Sequence, residues 1–157
     1  MQPCKKIGRS EEARVTGAAP TFKYTTDYRR IGNCPPAGCA AMRATVFRWV
    51  YVPDPHDMSF VPPAKKNPAR VWKDAADECC GMGLSMFTNA GGARGLYAVL
   101  RKRLKDRVKD VLGTHLASVP LAPNHGIADA PDQHGHFNFF EHAGADLMPL
   151  SRIIGPA

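Results

Sequence analysis

The stretch Ala44–Val52 constrains the fold more than any other part of the chain. Thr45, Phe47, Trp49 and Tyr51 fall on one face of a period-two strand, and Val46, Val50 and Val52 on the other. Arg48 is the exception. A strand apolar on both faces needs cover on both, which predicts a central strand of a layered sheet. The chain has 157 residues, enough for one core of ordinary size. Apolar residues make up 44% and charged residues 22%, which excludes collagen, coiled coil and wholesale disorder.

Around that strand the pattern is mixed. Thr21–Tyr28 alternates Phe22, Tyr24, Thr26 and Tyr28 against polar neighbours and reads as a half-buried strand. Pro53–Pro68 holds five prolines and reads as a long surface connection. Arg70–Gly81 carries Val71, Trp72, Ala75, Ala76 and Cys79 at helical spacing and ends on glycine, predicting a short amphipathic helix. Leu84–Thr88 suits a buried strand, and a glycine turn follows it.

A long helix is expected from Arg94 to Leu112. Leu96, Val99, Leu100, Leu104, Val108 and Val111 share its apolar arc, with Leu96, Leu100 and Leu104 expected in the core. Arg103 and Arg107 fall at the edge of the same arc. Thr114–Val119, Gly135–Glu141 and Leu150–Ile154 read as short strands. The fold class that follows is α+β: a small, mostly antiparallel sheet with one long and one short helix packed on one face. Residues 1–20 read as a flexible basic arm, and residues 21–157 as a single domain.

Charge is uneven. Residues 1–112 hold 20 Lys/Arg against 10 Asp/Glu, and residues 113–157 hold one against four, with five of the six histidines. Arg101, Lys102, Lys105 and Lys109 on the long helix, with Lys65, Lys66 and Arg70 upstream, form a candidate nucleic-acid face. Asp106 and Asp110 interleave with them, as on an ordinary solvated helix.

The glycine turn is a candidate anion site: Gly91 and Gly92 open the backbone at a helix start, and Arg94 adds a charged fork. Gly91-Gly92-Ala93-Arg94-Gly95 is similar to the oxyanion loop of patatin-like lipases, which also joins a strand to a helix. The resemblance covers roughly a dozen residues. The G-x-S-x-G elbow of those lipases has no counterpart here, since Gly113-Thr114-His115-Leu116-Ala117 lacks the serine, and their Asp-Gly pair is also missing.

His134, His136, Glu141 and His142 lie within nine residues and are candidate zinc ligands, with Glu141 as a general base. Asp129, Asp132 and Asp146 are the nearby carboxylates able to orient an imidazole. Five cysteines, two of them adjacent, suit reduced thiols, hence a cytoplasmic setting. No apolar run approaches the length of a membrane span, so no membrane association is expected. The leading functional expectation is a non-enzymatic binding module that engages a protein partner through its loops, as part of a larger assembly. Nucleic-acid binding comes second and a metal-dependent hydrolase third.

Overall fold

The computed structural model describes residues 19–53 and 57–157. Most of the expected arm, residues 1–18, lies outside them, as do residues 54–56 of the proline-rich connection. Within the described residues Ala44–Val50 forms β2, an internal strand, as its two apolar faces require. β2 pairs with β4 (His115–Leu121) along its whole length and with β3 (Leu84–Phe87) on its other side. Beyond β3 come β6 (His136–Glu141), β5 (Gly126–Ala128) and β1 (Ala40–Ala41), and β7 (Arg152–Pro156) lies beyond β4. The order is β1-β5-β6-β3-β2-β4-β7, and every pairing is antiparallel. Seven strands make the sheet larger than the small one expected. β1 and β5 are only two and three residues long, too short for alternation to register in sequence.

The register sorts the side chains. Thr45, Phe47 and Trp49 share a face with Ser85, Phe87, Leu116, His136 and Asn138. Val46, Arg48 and Val50 share the other with Leu84, Met86, Ala117, Val119, Phe137 and Phe139. On the first face Trp49, Phe87 and Leu116 cluster with Ala93, Tyr97 and Val108. On the second, Phe60 and Leu147, which lie outside the sheet and the helices, complete the cluster.

The long helix differs from its expected form in start and continuity, while Leu96, Leu100 and Leu104 pack on the Trp49 cluster. α4 spans Ala90–Leu104, because the Asn89 side chain accepts the Gly92 N–H at 2.7 Å and caps it. Lys105, at φ 52°, interrupts it; a 3₁₀ turn over Lys105–Arg107 leads into α5 (Val108–Leu112). The break re-phases the wheel. Ala93 and Tyr97 are buried, Leu96, Leu100 and Leu104 are half-buried, and Val99 and Val111 are exposed. Arg103 and Arg107 are exposed rather than held in an apolar arc.

Two further expectations are corrected. Thr21–Tyr28 is not a strand: Phe22 makes one bridge to His142, and Thr25–Ile31 forms helix α1. Positions 24 and 28 are four apart as well as alternating, and Tyr24 and Tyr28 stack ring edge to ring face as helical neighbours. The cysteines are not all reduced. Cys34, beyond α1, is bridged to Cys79 of α3 (Ala75–Gly81), and Cys80 is disulfide-bonded too; Cys39 is a free thiol. A short helix α2 (Pro63–Lys66) lies within the proline-rich connection. Asp74 caps α3 by accepting from Asp77 N at 2.8 Å, which starts that helix five residues later than Arg70.

Candidate functional site

On the Trp49 face two apolar clusters stand apart. One joins Trp49, Phe87 and Leu116 to α4 and α5; the other joins Phe140 to Tyr28 of α1 and to Cys79 and Met82 at α3. Between Phe87 and Phe140, along β3 and β6, the same face carries Ser85, His136 and Asn138, all half-buried. The polar seam is built by strand pairing: Ser85 lies opposite Asn138 and diagonal to His136.

Ser85 Oγ lies 2.8 Å from His136 Nε2, and His136 Nδ1 lies 4.0 Å from Asp132 Oδ2. The other oxygen of Asp132 accepts the N–H groups of His134 at 2.8 Å and His136 at 3.0 Å. One carboxylate therefore folds the turn before β6 and faces the ring. Asp129 takes both the main-chain N–H and the side-chain amide of Asn138, at 2.7 and 2.9 Å. The His136 ring meets Phe87 edge-on at 5.2 Å. Burial lowers the His136 pKa, with Asp132 and Asp129 pulling the other way, and so favours the neutral imidazole. With its proton on Nδ1, toward Asp132, Nε2 is free to accept from the Ser85 hydroxyl.

The glycine turn locks the start of α4 onto this turn. Gly92 sits against the His134 carbonyl, and Gly135, at φ 73°, sits against the Thr88 side chain. The Gly92 N–H is taken by Asn89, and Arg94 Nε donates to the Pro156 carbonyl at 3.3 Å. Gly91 is exposed. The Gly92 N–H and Arg94 Nε, expected to face an anion, are thus taken by groups of the protein itself.

The histidine quartet is split. His134 is exposed beside Gln133, and His136 begins β6, whereas Glu141 ends it, about 17 Å away at ~3.3 Å per residue. Glu141 Oε1 accepts from Lys23 Nζ at 3.2 Å, and the His142 ring packs on Phe22 at 5.3 Å. Among the described residues no group of three His, Cys, Asp or Glu is placed to hold a metal ion. Tyr28 Oη, Glu141 Oε2 and His142 Nε2 are buried with no hydrogen-bond partner among the described residues.

Arg101, Lys102, Lys105 and Lys109 are all exposed, joined by Arg103 and Arg107, and none makes an ion pair with a described residue. The upstream cations are engaged elsewhere. Lys65 pairs with Asp27 at 3.1 Å, Lys66 stands 4.7 Å from the Tyr51 ring centre, and Arg70 stacks on Trp72 at 4.1 Å. Among the described residues no helix is long and apolar enough to cross a membrane.

Sequence reasoning missed Ser85, because a lone serine in an apolar run carries no signal of its own. It did mark Asp132 as a carboxylate near the histidines, and the structure brings it to His136. Comparisons with family models, curated proteins and solved structures found no match.

Proposed function

We propose that the protein is a binding module that engages a protein partner along β7. Among the described residues β7 pairs with β4 on one side only, so its other side offers main-chain groups to a strand of another chain. The observation that carries this reading is the exposure of Leu150, Ile153 and Ile154, at 38%, 39% and 43%. Ile153 lies opposite Ala117 and Gly155 opposite Leu116, so Ile154 is the extra residue of a bulge, and an added strand would meet both exposed isoleucines there. The Cys34–Cys79 bridge supports work in an oxidising compartment rather than the cytoplasm. The test is site-specific photo-cross-linking in an extract of the source cells. A cross-linker at position 154 should capture one predominant protein, and Ile153→Lys should abolish the capture. The same proteins caught from exposed position 71 would sink the reading.

Nucleic-acid binding is a second reading, favoured by the six exposed cations of residues 101–109. It predicts retention on DNA or RNA that falls steeply with salt and weakens in Lys102→Ala/Lys105→Ala/Lys109→Ala. Retention unchanged by those substitutions would exclude this face. The bridge favours the protein partner over nucleic acid, since disulfides persist where reducing thiol pools are absent.

A further inference from the structure

From the polar seam we infer a chemical activity separate from partner binding: Ser85 is a nucleophile, with His136 as its general base and Asp132 as the group that orients the base, acting on small carboxylic esters. Nucleophile, base and carboxylate follow one another in space, with Ser85 Oγ 2.8 Å from His136 Nε2 and the opposite ring nitrogen 4.0 Å from Asp132 Oδ2. The three come from β3, β6 and the turn before β6, positions held by the sheet rather than by a mobile loop. Ser85 is further fixed from behind, because the buried Arg48 donates through Nη1 to its carbonyl at 2.6 Å. The seam is polar where the surrounding face is apolar, and the three groups are partly open to solvent. A serine–base pair of this kind attacks an acyl carbonyl, and the limited exposure of the three groups restricts the substrate to small esters.

The step balances without a cofactor. Ser85 Oγ bonds to the ester carbonyl carbon while its proton passes to His136 Nε2. The carbon–oxygen bond to the leaving alkoxide breaks, and Nε2 returns the proton to that alkoxide. Water then attacks the acyl carbon, losing its proton to Nε2, and the bond to Ser85 Oγ breaks as Nε2 passes that proton to Oγ, releasing the acid and free Ser85.

The experiment uses the folded full chain with diisopropyl fluorophosphate, in which the phosphorus–fluorine bond breaks as the serine oxygen–phosphorus bond forms. A parallel assay follows phenolate release from p-nitrophenyl acetate. The expected result is one adduct, mapped by peptide mass spectrometry to Ser85, and phenolate release that Ser85→Ala removes. His136→Gln should slow labelling about 100-fold. Asp132→Asn, whose side-chain oxygen still accepts the two N–H groups of the turn, should slow it about 10-fold. Absence of a Ser85 adduct in the wild-type protein overturns the inference, whether or not the variants fold. So does a folded His136→Gln protein that labels at the wild-type rate, which would leave the 2.8 Å contact a structural hydrogen bond.

Discussion

Gly92 approaches His134 so closely that a Cβ placed on it would lie 2.1 Å from the His134 carbonyl oxygen. That contact seats the first turn of α4 on the Asp132–His136 turn and so helps set where the His136 ring stands. Gly92→Ala must push the two apart, and overpacking of this kind costs about 1–3 kcal/mol. Gly95, three residues along the same helix, has nothing within 4 Å of its would-be Cβ. Gly95→Ala should therefore stabilise the protein by up to about 1 kcal/mol through helix propensity. Urea unfolding of both variants checks the pair, and a neutral Gly92→Ala would show that the turn moves away freely.

What was legible in sequence was what a single segment can encode. Ala44–Val50 showed two apolar faces and is internal; the 3.6-residue period after the glycine turn marked α4. Leu96, Leu100 and Leu104 of α4 pack on the Trp49 cluster as the wheel has them, whereas Val111, placed in the same arc by a wheel that runs unbroken through Lys105, is exposed. Ser85 and His136 are 51 residues apart and meet only because β3 pairs with β6. Cys34 and Cys79 are separated by 45 residues, and spacing alone does not say which cysteines meet. The candidate site was therefore half visible: its histidine and carboxylate stood together in sequence, its serine did not.

The Cys34–Cys79 bridge closes a loop across a 45-residue separation. Chain-entropy reasoning for loops of this size gives a loss of about 2–4 kcal/mol when the bridge is removed. The double variant Cys34→Ala/Cys79→Ala should show that loss in thermal or urea melts, with the α1–α3 region exchanging amide hydrogens first. An unchanged melt would mean that packing of Tyr28, Met82 and Phe140 holds the region unaided.

Arg48 departs from the apolar pattern of β2, yet is almost fully buried. Its Nε donates to the Ser59 carbonyl and its Nη1 to the Ser85 carbonyl, both at 2.6 Å, with the Phe60 ring 5.8 Å away. Burial lowers its pKa to about 10, which leaves it charged at neutral pH. One fork thus ties the 57–62 segment to β2 and β3, and a lysine cannot span both acceptors. Arg48→Lys should cost about 1–3 kcal/mol for the carbonyl left unpaired. Proteolysis within residues 57–62 should quicken in the variant; a wild-type digestion rate would show that Phe60 alone anchors the segment.

Glu141 supplies a pH-dependent term of opposite sign to that of most carboxylates. Its side chain is 1% exposed, Oε1 holds Lys23 Nζ at 3.2 Å, and Oε2 has no partner among the described residues. Burial pushes its pKa up, and the opposing pull of Lys23 and Arg48 does not cancel that shift. The folded protein therefore keeps a proton on Glu141 at pH values where the unfolded chain, near ~4.3, has released it. In that window the native state binds more protons, so stability falls as pH rises through it and levels off above the native pKa. Glu141→Gln has no such titration, and its amide oxygen still accepts from Lys23. Unfolding free energies of both proteins, measured in urea from pH 4 to pH 8, should show the wild type losing stability relative to the variant as pH rises. A wild type that instead gains on the variant would mean that the Lys23 pair outweighs burial and holds the native pKa below its unfolded value.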